Sequence, residues 1–244
     1  MKSNKGLTFL FGLLSILVCW QLLTLGTNNR AVPDPISTLQ RGWQLRDTLV
    51  LHAAASSLRI IGALAIALVI GLPLGILLSR SQRLNSILGP LIYFLYPLPK
   101  VAFLPVFMIF FGLGNLSKVL LMVAIICIQV IVSVRDAVNL IPDNYYRVMD
   151  NYNSSSFQVL RYLILPALLP GLLSSLRVSV GISLASLFFA ENYNTTYGLG
   201  YLILSAWSKM DYEEMFAGIL AIGLLGSLIF SVFDALEKRY CSYR

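Results

Sequence analysis

Apolar residues in this 244-residue chain gather into six long runs separated by short polar stretches. The runs cover residues 7–25, 49–78, 87–111, 117–134, 166–190 and 215–236. Each is long enough, at 1.5 Å of rise per residue, for a helix to approach or exceed a hydrocarbon core of about 30 Å. The pattern predicts an all-α integral membrane protein with about six transmembrane helices. The run 7–25 is longer than a usual signal-peptide core and is followed by no small-x-small cleavage site, so it reads as a first span. The run 49–78 would reach about 45 Å as a helix, so its first part lies outside the core and residues 60–78 span. Arg59 then sits near the outer interface, free to snorkel outward. Gly62, Gly71 and Gly75 offer small faces for close helix packing, and Pro73 predicts a bend. Pro90, Pro97, Pro99 and Pro105 break the run 87–111, which cannot be a straight helix. Its freed carbonyls need protein or water as partners, so it should face the bundle interior or a cavity.

The polar stretches define what the spans present to either side. Pro33, Asp34 and Pro35 break any helix in residues 27–47, and residues 37–47 suit a short interfacial helix carrying Trp43. Residues 112–115 form an outer turn. Residues 135–156 are polar and hold Arg135, Asp136, Asp143 and Arg147. Residues 150–161 then form a segment with Asp150, Asn151, Tyr152, Ser154, Ser155, Phe157, Gln158 and Arg161. Phe157, Val159 and Leu160 give its second half an amphipathic helical pattern, and Pro166 and Pro170 mark the turn into the next span. Lipid cannot solvate such a helix, so it must lie at one membrane face, accessible to a soluble partner.

Charge sets the orientation. The chain is 57% hydrophobic and only 12% charged, with a net charge of +7. If both termini lie in the cytoplasm, Lys2, Lys5, Arg80, Arg83, Arg135, Arg147, Arg161, Lys238, Arg239 and Arg244 are inside. Arg30, Arg41, Arg46, Lys118 and Lys209 are then outside. A bias of about two to one agrees with the positive-inside rule. The basic balance therefore needs no nucleic acid to explain it.

Catalytic chemistry finds little support. There is no phosphate-binding GxxxxGK[ST] loop, so the chain does not itself hydrolyse ATP. A lone histidine, His52, reads as a polar interfacial residue. Cys19, Cys127 and Cys241 have no metal-ligand spacing, and no metal site is expected. Three charges inside apolar stretches stand out: Arg59, Lys100 and Arg177. Arg177 is either paired or lines a passage. Lys100 either serves the passage for an anion or pairs with Glu191. Phe103, Leu104 and Phe107 are bulky candidates to narrow that passage.

Several motifs carry a family resemblance. Leu165-Pro166-Ala167-Leu168-Leu169-Pro170 matches the end of the cytoplasmic loop of binding-protein-dependent ABC importer permeases. Asp150-Asn151-Tyr152 stands there in place of Glu-Ala-Ala, and Ser154 or Ser155 in place of a glycine. Residues 101–114, VAFLPVFMIFFGLG, resemble the AWLP…FGIG signature of the nitrate, sulfonate, taurine and bicarbonate subgroup; Lys100 beside it departs from the pattern. Ala190-Glu191 with Gly198-Leu199-Gly200-Tyr201, and Pro33-Asp34-Pro35 ahead of Ser56-Ser57-Leu58-Arg59, resemble the same subgroup.

The resemblance spans nearly the whole chain and implies a type I ABC importer permease fold in the bacterial inner membrane. Together with the apolar run 7–25, this divides the chain into an N-terminal span and external connector (residues 1–47) and a permease domain (residues 48–244), in which the resemblance implies a cytoplasmic docking loop near 150–165. The implied partners are a cytoplasmic ABC ATPase dimer, an external solute-binding protein, membrane lipid and a second permease copy, a homodimer being the natural assembly for this number of spans. No cofactor is expected on this chain, with ATP and Mg on the ATPase. The solute would be a small anion or sulfonate. A pyrimidine or riboflavin-type vitamin precursor on the same machinery is the alternative. A stand-alone secondary transporter would want an internal repeat that the sequence lacks, and a membrane enzyme would want paired carboxylates or histidines.

Overall fold

Helices make up the regular structure of residues 5–27 and 29–241, which the computed structural model describes. Lys2 and Arg244, counted above on the inner side, lie outside the described residues. Helix α1 (Lys5–Thr27) leads to a short connector and α2 (Pro35–Gln44). Asp34 caps α2 by accepting from the Ile36 and Ser37 amides, with Pro35 in the first turn, where its missing N–H costs nothing. The interfacial helix expected at 37–47 is thus slightly earlier and ends before α3 (Arg46–Arg80). Trp20 of α1 donates to the Pro33 carbonyl and stacks on Phe216, and Arg41 of α2 pairs with Asp211 at 2.7 Å. These contacts pin the N-terminal segment to the last helix.

Four helical stretches are long and apolar enough to cross a membrane: α3, α6 (Asn115–Asn139), Ser156–Glu191 and α11 (Tyr212–Tyr240). The bent pair of α4 (Gln82–Leu95) and α5 (Leu104–Phe111), joined through a 3-10 turn at Lys100–Phe103, meets the same requirement only when the two are taken together. By length and composition the described residues thus hold four spans, or five with the bent pair, rather than six; α1 adds an apolar helix of 23 residues. α3 runs without a break through Pro73, which therefore does not end the helix.

The core is a three-helix layer in which α6 lies between α3 and α9 (Leu165–Glu191). Its contacts come from one face of each helix: Ile60, Ala63 and Ala67 of α3; Met122, Ile126, Val130 and Val134 of α6; Leu168, Leu172, Leu176 and Val180 of α9. In lipid, apolar burial gives little drive to pair helices, so close approach of backbones matters more. Gly71 and Gly75 provide it. A Cβ on Gly75 would lie 2.7 Å from the Val134 Cβ and 2.9 Å from the Ile131 carbonyl oxygen. Gly62, by contrast, faces open space.

The run 87–111 departs furthest from a simple span. The chain turns by 91° between α4 and α5 around Pro97 and Pro99. Two prolines remove two amide donors within three residues, and no straight helix survives that. The opposite happens at Pro166 and Pro170. Instead of a turn into the span, the short helix α8 (Ser156–Val159), a π turn (Leu160–Ile164) and α9 form one unbroken helical stretch. Pro166 falls in the first turn of α9, where a proline is tolerated, and the wide π turn before it absorbs the change in hydrogen-bond register.

Candidate functional site

Three places hold the residues singled out by the sequence. The first is the hairpin formed by α7 (Asp143–Asn151) and α8, between α6 and α9. Asp150 and Asn151 end α7. Tyr152 follows it, and Asn153 reverses the chain with φ +49, a left-handed conformation that asparagine tolerates. Ser155 then caps α8 in a full capping box. Its hydroxyl accepts from the Gln158 amide at 3.3 Å, and the Gln158 side chain accepts from the Ser155 amide at 2.7 Å. Val159 is buried and anchors the hairpin to the core, while Tyr145, Val148, Tyr152 and Phe157 stand exposed. Phe157 is 65% exposed and Tyr152 80%. The Arg161 guanidinium lies over the Tyr162 ring at 5.9 Å. The hairpin is capped and holds these aromatics out in the open, and Tyr145 and Val148 add to the exposed residues expected from residues 150–161.

The second is a buried ionic node at the far ends of the same helices. Glu191, at the end of α9, accepts from the Arg59 guanidinium at 2.5 Å and from the Ser56 hydroxyl at 2.8 Å. Its other oxygen accepts from the Gly200 amide at 2.8 Å, in the first turn of α10 (Leu199–Ser208). The Leu199 amide donates to Ser56 at 2.9 Å, and the Gly198 amide donates to Nδ1 of His52 at 3.0 Å. A carboxylate at this helix start also meets the positive end of the helix dipole. Arg59 donates further to the Asn115 side chain and the Tyr197 carbonyl, so α3, α6, α9 and α10 meet on two side chains.

The GLGY motif follows from this packing. Gly198 has φ +156, and a side chain on it would collide with the Glu191 carboxylate; a Cβ on Gly200 would lie 2.6 Å from the Phe188 carbonyl oxygen. Lys118, placed outside by the charge count, is fully buried beside the node, its ammonium donating to the Leu113 and Gly114 carbonyls at 3.0 and 3.3 Å. Arg59 is thus held by partners rather than free to snorkel, and His52 is buried within the protein: it is 7% exposed and stacks on Tyr201. Burial without a partner would be costly for these groups, and each has found several. The readable signal was the spacing of His52, Ser56 and Arg59, four and three residues apart on one helical face.

The third place is the broken span. Lys100 does not reach Glu191, whose partners are those just given. Its ammonium donates to the Tyr96 carbonyl at 2.6 Å and lies over the Tyr96 ring. Leu104 is buried among Leu121, Ile125 and Ala190, so it fills the core rather than a passage. Phe107 packs against that cluster and stacks on Phe111, while Phe103 is 41% exposed. Arg177 pairs with Asp234 at 3.1 Å and with Glu237, both on α11. It ties α9 to α11, the paired role of the two open to it.

Residues 48–240 match the family model described as "Binding-protein-dependent transport system inner membrane component". The chain is 33% identical to the taurine transport system permease protein TauC of Escherichia coli (strain K12), over 97% of this chain and 90% of that protein. It is 28% identical to the putative aliphatic sulfonates transport permease protein SsuC of Bacillus subtilis (strain 168), over 94% of this chain and 84% of that one. In three dimensions it is similar to a chain of the MetNI methionine ABC transporter in an inward-facing conformation. The TM-score is 0.67 at 18% identity, covering 81% of this chain and 96% of that one.

Proposed function

Because the chain belongs to the family of binding-protein-dependent transport system inner membrane components, and so is the multi-pass permease subunit of an ABC importer in the inner membrane, we propose that two copies of it form the passage for a small sulfonate-like anion. The family implies an ATPase and a solute-binding protein as partners and ATP hydrolysis on a separate subunit. We assign the α7–α8 hairpin as the surface docked by that ATPase, on the cytoplasmic side together with both termini. The single observation that carries the assignment is the row Tyr145, Val148, Tyr152 and Phe157, exposed on a capped hairpin between two core helices. Large apolar side chains held out on a capped element suit anchors for a groove on a partner. Asp150, Asn151, Ser154, Gln158 and Arg161 supply the polar rim around them.

The mechanism follows from the continuity of the helix. α8, the π turn and α9 are one stretch, Ser156–Glu191, whose far end carries the Glu191 node. A push on the hairpin when ATP and Mg close the ATPase pair is carried along this stretch to the outer end, where α3, α6 and α10 are tied to it. Access to the passage then alternates as the spans rock. Residues 1–47 form a span and external connector attached to the permease domain 48–244, and the exposed apolar faces of α1, α3 and α11 meet lipid. Phe103 and Phe107 remain candidates to narrow the passage. Leu104 supports them from behind, and Arg177 and Glu191 hold its frame. The sulfonate-like solute is supported by the taurine and aliphatic-sulfonate names of the relatives.

Two measurements test the reading. Proteoliposomes holding the permease, its ATPase and its binding protein should take up taurine or another small sulfonate in an ATP-dependent way, and uptake confined to solutes without an anionic group would reject the substrate class. In a variant without native cysteines, an impermeant thiol reagent outside intact cells should modify Thr196→Cys and miss Ser156→Cys. Both positions are exposed, so the reverse pattern would overturn the orientation.

A further inference from the structure

Lys100 lies on a cavity of about 310 Å³ between the broken span, α6 and α9. All eleven Asp and Glu side chains lie among the described residues, and none pairs with this ammonium. The other intramembrane cations are matched: Arg59 by Glu191, Arg177 by Asp234 and Glu237. Lys118 is sealed among backbone carbonyls. Lys100 is among the residues that line this cavity and uses one of its three donors on the Tyr96 carbonyl, which leaves two for a ligand. The wall opposite carries Gln129, Ser179 and Ser186, with Ile125, Val178 and Ile182 beside them. Gln129 lies 14 residues into α6, about 21 Å along it, so the cavity sits at depth rather than at a membrane face.

We propose that this cavity is a transit site in the passage that binds the sulfonate group of the travelling solute. The proposal rests on the reading of the chain as an anion importer. A positive charge held at membrane depth without a counter-charge is costly, and an anion entering beside it relieves the cost. The chemistry of the wall fits a small sulfonate. The ammonium and the Gln129 amide are the donors, and the apolar side chains cover a short alkyl group; the Ser179 and Ser186 hydroxyls already donate to the Ser175 and Ile182 carbonyls at 2.9 Å and add only polarity to the wall. The 91° bend is what makes this possible, because it turns Lys100 out of a helix and leaves open space beside α6 and α9. A weak site is also what transport needs, since the anion must leave again.

The test uses the whole complex of permease, ATPase and binding protein. Trace acetic anhydride acetylates amines, and peptide mass analysis reads each lysine separately. Ethanesulfonate should slow acetylation of Lys100 but not of the exposed Lys209, and uncharged ethyl methyl sulfone at the same concentration should protect neither. Lys100→Met should lower taurine uptake at least about tenfold, as expected for one charge-assisted hydrogen bond, while ATP hydrolysis stimulated by the binding protein is kept. Lys100→Arg should restore most of the uptake. Absence of protection by ethanesulfonate, or equal protection by the sulfone, overturns the site whichever solute the complex carries. Undiminished taurine uptake in Lys100→Met overturns it as well. Protection of Lys100 in a wild-type complex that takes up no taurine upholds the site and instead removes taurine as the cargo.

Discussion

Glu191→Gln is expected to destabilise the permease by roughly 3–5 kcal/mol, the usual cost of removing one partner of a buried ion pair. The substitution keeps the shape of the side chain and much of its capping of Gly200 and Ser56. It removes the one negative charge that faces Arg59, with Lys118 buried close by. Both cations are less than a tenth exposed, so water cannot take over. The thermal midpoint of the purified protein should fall by about 10 °C, and the yield of folded permease should fall with it. Arg59→Met in the same background should recover part of the loss, because the stranded guanidinium is gone. Recovery stays partial, since Asn115 and the Tyr197 carbonyl also lose their donor. A midpoint that does not move in Glu191→Gln would show that the node holds nothing together.

Phe157→Asp should give the opposite pattern: a folded permease that no longer couples. Phe157 is 65% exposed, and nothing in the core leans on it, so the thermal midpoint should stay within about 1 °C. Truncating or charging an aromatic anchor at the centre of an interface costs about 2 kcal/mol or more, or about 30-fold in assembly. Copurification of the ATPase should drop accordingly, and ATP-driven uptake with it. Val159, two residues on, is the control. It is buried, so Val159→Asp should destroy the fold rather than the docking. Normal ATPase recovery and normal uptake in Phe157→Asp would reject the docking surface.

The two predictions differ in how far each could be read without a structure. The α7–α8 hairpin announces itself in one dimension. A polar segment with an apolar spacing, lodged between two runs too apolar for water, has nowhere to go but a membrane face. The capping pair Ser155 and Gln158 lies three residues apart and is equally local. The helical spans, the small faces at Gly71 and Gly75 and the disruption around Pro97 and Pro99 rest on the same kind of short-range rule. The lipid-facing length requirement and the missing proline N–H act within a single segment, wherever that segment is placed.

What the sequence could not settle was which charge answers which. Arg59 and Glu191 are 132 residues apart, and Lys100 was as good a partner for Glu191 on paper. The choice depends on the depth and rotation of three helices, and a hydrophobic run leaves both uncertain by a turn. The close contacts of Gly71 and Gly75 with α6, and the 91° bend at the prolines, fix them. Once they are fixed, Arg59 and Lys118 fall inside one end of the bundle, Leu104 falls into the core, and Lys100 is left lining a cavity. Composition and periodicity determined that this chain spans a membrane and where it exposes a hairpin. Packing alone decided its charge partners, because a salt bridge is made between positions in space and not along the chain.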